Sequence, residues 1–450
     1  MAEIAAIDAQ ASNHRGHRNR RLISAWSASL LSKGATFVAQ IFAVPIVYRS
    51  LDGDRFAAYA AVTSAASVLG SLNLGLGGAL VNPVVKAVTE GDQKGEAKTV
   101  VSAVLPLVVL AAAAALILLP YLAFGDLSPL FGPISQAVGE RELRIAALVA
   151  CSATLASVPM SAVENLRQAY QETHINSLAG AGWNISLSLG LFAASWLHPT
   201  LPVFVAVMVL SPLAARYINA ATLFRKRPYL LATPVESFCR PLAVRLTHDG
   251  IIYLAAAFSH VLLYQWPIYL LTRLLPPSEG RAYIVCIQFV LLAISFTVNL
   301  IQPLWGAVSE ARARSDAGWL AKALRTARIA VLIYGVAILL GFGLFGERVL
   351  QLWVRRPIVL DPYVTWAAAL YILLATWDFV HFTFALGLGA LRPASLSAFG
   401  RAALFAAVAP VAIAVGGAGF LFVSLCASVA VTTGWLYPRM IRRRLASPGE

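Results

Sequence analysis

The sequence predicts an all-α, polytopic membrane protein whose twelve transmembrane helices form two pseudo-symmetric six-helix lobes. Three observations carry this expectation: an apolar composition, twelve apolar runs of about 20 residues, and an internal repeat spaced near 220 residues. Of 450 residues, 59% are hydrophobic and only 12% charged, more apolar surface than a soluble core could bury. About 20 apolar residues in helical form cross roughly 30 Å of hydrocarbon. Lipid supplies no hydrogen bonds to the backbone, so such runs are expected as helices and not open sheets.

The runs are Leu22 to Tyr48, Phe56 to Leu80, Val100 to Phe124, Leu143 to Val163, Ile175 to Leu197, Leu201 to Leu223, Gly250 to Thr272, Ala282 to Trp305, Ala327 to Phe345, Tyr363 to Leu386, Leu396 to Val415 and Phe420 to Tyr437. They divide the chain into a basic tail (1–21), an N-terminal lobe (22–224), a linker (225–249), a C-terminal lobe (250–437) and a second basic tail (438–450). The first run is too long for a signal-peptide core and no small-residue cleavage site follows it, so no cleaved targeting segment is expected.

Placing the N-terminus inside puts 23 of the 35 Lys and Arg in cytoplasmic segments and nine outside, with Lys33, Arg216 and Arg401 within apolar runs. The positive-inside rule then predicts both termini cytoplasmic. The net charge of +14 is explained by this topology and by attraction to anionic membrane lipid, and nucleic acid is not an expected partner.

The repeat is visible in short matches that keep their order. Pro45-Ile46 corresponds to Pro267-Ile268 and Ala87-Val88-Thr89-Glu90 to Ala307-Val308-Ser309-Glu310, with offsets of 222 and 220. Ser177-Leu178 corresponds to Ser395-Leu396 and Arg225-Lys226-Arg227 to Arg442-Arg443-Arg444, with offsets of 218 and 217. Repeats with an even helix count share one orientation, and such interfaces place a cavity near the midplane. Pro45 and Pro267, each lacking a backbone donor, are expected to kink helices at matching depths.

The stretch Ser71-Leu72-Asn73-Leu74-Gly75-Leu76-Gly77, leading through Asn82-Pro83 to Glu90-Gly91-Asp92, resembles bacterial O-antigen and exopolysaccharide flippases of the multidrug/oligosaccharidyl-lipid/polysaccharide exporter superfamily. The resemblance implies a V-shaped exporter fold alternating between inward- and outward-open states. It further implies a flippase in the bacterial inner membrane that carries an undecaprenyl-diphosphate-linked oligosaccharide to the periplasmic leaflet for polysaccharide or lipopolysaccharide biosynthesis. A coupling ion or the membrane potential would supply energy, and a polysaccharide polymerase is a candidate partner that the sequence itself does not decide. No Gly-rich phosphate loop followed by Lys and Ser/Thr occurs. The segment after Pro83 reads as an amphipathic helix on the cytoplasmic surface.

Charges at bilayer depth are costly and should face a protein interior or a wet cavity. Lys33, Arg216 and Arg401 are therefore expected to line a cationic cavity suited to a diphosphate, since ammonium and guanidinium groups complement phosphate oxygens. Asp378 and His381, three apart on one helix, and His260 are the candidates for ion coupling, with an Asp378–Arg401 ion pair as the competing structural reading. The first two apolar runs hold no Asp or Glu, which argues against a cation exporter. That ion-coupled multidrug exporter of the same fold is one alternative; a membrane-embedded polymerase or ligase is another, disfavoured by the short outward connections. Cys151, Cys239, Cys286 and Cys426 are scattered, and no metal, cofactor or catalytic site is expected.

Overall fold

The computed structural model describes residues 33–71, 75–232, 234–302, 304–313 and 315–446. The first basic tail, the run from Leu22 to Ser32, Leu72-Asn73-Leu74 and residues 447–450 lie outside the described residues, with the expectations placed on them. The described chain is helical, without a strand. Its main helices are α1 (33–50), α2 (Gly53–Gly70), α3 (Leu76–Glu90), α4 (Gln93–Phe124), α5 (Glu140–Ser157), α6 (Ser161–Ala169), α7 (Thr173–Leu197) and α8 (Leu201–Lys226) in the first half. The second half comprises α9 (Arg240–Tyr264), α10 (Trp266–Leu274), α11 (Pro277–Ile301), α12 (Leu304–Ala313), α13 (Ala317–Val354), α14 (Pro362–Gly387), α15 (Leu391–Gly416), α16 (Phe420–Ser428) and α17 (Gly434–Ala446). Among the described residues ten segments are long and apolar enough to cross a membrane; α1 and α2 stand where the first two of the twelve expected crossings fall, and the apolar runs of both are only partly described. The outer faces of the ten segments expose Leu116, Ile117, Phe124, Leu189 and Phe192, a surface that only lipid would cover.

Several crossings read as continuous in sequence are broken. The second separates into α2 and α3 because Ser71 folds its hydroxyl back onto the Val68 carbonyl, 2.6 Å, and Gly75 takes a left-handed φ of 65°. A Cβ at Gly75 would overlap the Gly250 carbonyl oxygen, so glycine serves here both the turn and the approach of α9 to α3. The seventh crossing breaks at Gln265, where Pro267 stands in the first turn of α10 and offers no amide to continue α9. By contrast, residues 33–50 run as one helix through Pro45. The expected surface helix after Pro83 starts instead at Leu76. Its Leu76, Leu80, Val84 and Ala87 are buried while Val85 and Val88 are exposed, so the helix packs into the first half on one face.

The repeat is legible in chain geometry. Gly91 and Ser315 both adopt left-handed φ, 71° and 56°, and the next residues, Asp92 and Asp316, cap α4 and α13 by accepting from Gly95 and Trp319 amides, each 2.9 Å. Gln171 and Gly389, with φ of 58° and 78°, make the same helix-ending link before α7 and α15. In all four the following amide bonds back to a carbonyl five residues earlier, satisfying groups that a helix end otherwise strands.

Core packing differs between the two ends of the bundle. At the end where α1 meets α2 and α13 ends, here the far end, buried side chains of both halves form one continuous core, from Val47, Phe56 and Phe204 to Ile268, Ile287 and Leu350. At the opposite, basic end there are two separate cores. One gathers Leu80, Val100, Leu166 and Leu223 with Leu246 of α9; the other gathers Val308, Leu324, Phe384 and Tyr437. The halves thus share one core at the far end, whereas at the basic end their cores are separate and α9 packs on that of the first half.

Candidate functional site

Three cavities follow one another along α9, the inner two lined by first-half residues and by α9 and α10. At the basic end, about 570 Å³ opens between α3, α9 and the start of α15, lined by Asn82, Lys86, Arg245, Asp249, Tyr253 and Arg392. One turn deeper along α9, about 350 Å³ is lined by Thr63, Ser67, Ser71, Thr154, Ser157 and Arg216 with Ala257 and Val261. Beyond it, about 390 Å³ is bounded by Val62, Leu69, Leu118, Phe131, Phe258 and Trp266. The two inner chambers share Ala66 and Val261, and among the described residues neither has an Asp or Glu in its lining. Small and hydroxylated residues on α2 open this space, whereas bulky ones in its place would fill it.

Arg216 is the expected cation that lines this path. It donates Nε to Glu164 Oε1, 3.2 Å, and Nη1 to Ser157 Oγ, 3.0 Å, and its side chain is about one third exposed. Glu164 therefore offsets the charge without displacing the guanidinium from the chamber wall. Lys33 is half-buried and donates Nζ to the Asn299 carbonyl of α11, 2.8 Å, so it bridges the two halves. It lines none of the three cavities.

Arg401 departs from the expected cavity lining. It is buried within the second half and pairs through Nη1 with Asp378, itself buried, with Thr433 Oγ1 at 3.4 Å. The π-helical turn Val429–Thr433 brings that hydroxyl to the pair. Among the described residues Asp378 Oδ1, Arg401 Nε and the Tyr371 hydroxyl have no hydrogen-bond partner. His381 does not join Asp378 but turns to α13, where its Nε2 accepts from Arg328 Nε, 2.9 Å. Its Nδ1 lies 2.7 Å from the Trp377 carbonyl, which fixes the tautomer with the proton on Nδ1, because a guanidinium only donates. His260, on α9, is exposed and meets Tyr264 edge-on, ring centroids 4.1 Å apart.

Two groups of residues escaped sequence reasoning. At the far end, Arg49 and Trp353 cross between the halves to backbone carbonyls. At the basic end, Glu96 accepts from the hydroxyls of Tyr170 and Tyr229, the latter at 2.8 Å, which docks the linker turn Pro228–Leu231 on α4. Beside it, fully buried Arg167 holds Glu172 and Asn219, and Arg227 also reaches Glu172, 3.0 Å. Burial raises the Glu172 carboxyl, but the hydrogen bonds from Arg227 and Arg167 outweigh it and hold the group below its ordinary value. No single motif announces these ties, although buried charges flanking a loop are a general signal of pairing.

No protein-family model and no curated protein matches the sequence. Solved structures do. An inward-facing multidrug resistance MATE family transporter of the MOP superfamily is 13% identical with a TM-score of 0.74, covering 94% of this chain and 100% of the other. The outward-facing conformation of a transporter so described gives 0.66 at 13% identity, covering 95% and 96%. A MOP superfamily transporter from Pyrococcus furiosus, described as having a binding pocket of reverse polarity that suggests a different function, gives 0.63 at 15% identity, covering 96% of each chain. At these identities the likeness establishes the fold, which is that of the MATE transporters. The narrower polysaccharide-flippase resemblance rests on the sequence.

Proposed function

We propose that the chain is an alternating-access transporter that exports drug-sized amphipathic solutes, neutral or anionic. The observation that carries this reading is the run of three cavities along α9, from the basic end, where the cores are separate, toward the far end, where one core is shared. A chamber of about 390 Å³ is of drug-ligand size. Its apolar wall would take the body of a solute, while Arg216, one chamber away, would take an acidic group. The positive-inside rule assigns the basic end to the cytoplasm, so on this reading solute enters the open cavities from the cytoplasm and leaves at the far end. The higher similarity to an inward-facing transporter supports the same assignment. Asp378, one of whose carboxylate oxygens has no partner among the described residues, is the candidate for coupling to an ion.

A second reading, flipping of a lipid-linked oligosaccharide, is favoured by Lys86, Arg245 and Arg392 in the basic-end cavity, a set suited to a diphosphate. The inner chambers are small for such a cargo. The deciding experiment measures uptake into inside-out vesicles of an anionic amphipathic dye and of a lipophilic cation. The first reading requires energised uptake of the dye in preference to the cation, reduced by Arg216→Gln. Preferential cation uptake, or no uptake together with lipid-linked oligosaccharide accumulating when the gene is deleted, would overturn it.

A further inference from the structure

Away from these three cavities, at the basic end of the second half, three arginines converge on the outer surface between α13 and α17. Arg325, Arg328 and Arg442 line a depression of about 410 Å³ whose walls are Leu324, Ile329, Ile441 and Leu445. Among the described residues none of the three has a carboxylate partner, and their one hydrogen bond is from Arg328 Nε to His381. That bond, with the Trp377 ring 5.7 Å below the guanidinium, holds Arg328 in place and leaves its terminal nitrogens as unused donors.

Depth identifies what the depression would meet. From Ile329 to Gly346, α13 carries 18 residues without a charge, about 27 Å of helix, which matches the hydrocarbon thickness. Arg325 and Arg328 stand just beyond the end of that stretch, at headgroup level. On the face continuing from Arg325, Ile329, Leu332, Ile333, Val336 and Leu340 are exposed at helical spacing, an apolar track running from the arginines into the membrane.

We infer that this depression binds an anionic phospholipid, its phosphate held by Arg325, Arg328 and Arg442 and an acyl chain lying along the α13 track. Basic recesses between helices on the cytoplasmic side are suited to such headgroups. A zwitterionic lipid would bring its own cation against three guanidinium groups, and a free anion would leave the track unused. Occupancy would bear on the candidate coupling group of the proposed function, because Arg328 is bonded to His381 of α14, three residues from Asp378.

The test uses the full-length protein in detergent, with retained lipid counted by native mass spectrometry and thermal midpoint recorded. The probes are phosphatidylglycerol, phosphatidylcholine and inorganic phosphate. Wild type should retain and be stabilised by phosphatidylglycerol alone. Arg325→Gln with Arg442→Gln, which spares the Arg328–His381 bond, should weaken it about 30-fold, while Arg443→Gln, outside the depression, should not. Equal retention of phosphatidylcholine, equal stabilisation by phosphate, or a double variant that binds phosphatidylglycerol as wild type does would each overturn the inference. The wild-type comparison of the probes decides the matter even if the double variant does not fold.

Discussion

Arg49 of α1 donates Nε to the Val354 carbonyl at the end of α13, 2.9 Å, and so ties the first half to the second at the far end. Its Nη2 reaches the Trp353 carbonyl at 3.2 Å, its own carbonyl accepts from Arg356 Nη2 at 2.6 Å, and Trp353 Nε1 donates to the Ile41 carbonyl at 2.9 Å. These bonds cover the continuous core that closes the molecule on that side, and opening there must break them.

Arg49→Ala removes two of these bonds, each worth about 1 kcal/mol net. The equilibrium should therefore move toward a far-end-open state by roughly tenfold or more. Spin labels at Thr200 and Val359, both exposed at the far end, should gain a longer-distance population in the variant. A distance distribution identical to wild type would show that the bonds do not hold the gate.

The buried Asp378–Arg401 pair makes a contrasting prediction about stability. Asp378→Asn leaves a guanidinium buried without its counter-charge and should cost about 3–5 kcal/mol, whereas replacing both residues by apolar ones should cost much less. Thermal midpoints of the purified single and double variants check this. If the double variant regains stability but not transport, the pair serves coupling as well as packing; if it regains both, the pair is structural.

Much of the fold was legible because a crossing helix needs only length and apolarity, both local properties. The breaks were not legible, since Gly75 yields to Gly250 of the other half and a contact across some 175 positions leaves no local trace. Intramembrane charge drew attention to Lys33, Arg216 and Arg401 because its cost is high in any fold. Which of them meets a cavity depended on helix rotation. The same rotation separates Asp378 from His381, since three residues at 100° each leave them about 60° apart and each turns to a different neighbour. Arg49 and Trp353 were invisible because they bond backbone carbonyls, which every residue possesses.

Acid should loosen the basic end of the first half through Glu172. Its folded-state pKa lies below the ordinary value because the bonds from Arg227 and Arg167 outweigh burial. A depressed carboxylate contributes stability that is fully present above its unfolded pKa, about 4.3, and is lost as pH falls through the folded value. Melting curves from pH 7 down to about 3 should show the wild type losing stability below the ordinary carboxylate range, and Glu172→Gln losing less over that interval. Parallel curves for the two proteins would mean that the group contributes nothing to acid sensitivity.

The last prediction concerns Lys33. Its ammonium bonds the Asn299 carbonyl across the two halves at 2.8 Å, on the helix pair α1–α11, where Phe37 and Phe296 also meet with centroids 5.7 Å apart. Under the proposed alternating access, closing the basic end and opening the far end would change the relation of α1 to α11. The ammonium would then exchange a neutral carbonyl for another acceptor, and an anionic solute is the stronger one. Lys33→Ala and Lys33→Gln should therefore lower uptake of the anionic dye at matched protein level, with little effect on a neutral analogue. Lys33→Arg, which keeps the charge, should retain part of the activity. Scoring uptake per folded molecule separates this from a loss of stability. If the neutral and anionic solutes fall together in Lys33→Ala, the bond to Asn299 matters for the motion and not for the solute; if both variants transport normally, Lys33 has neither role.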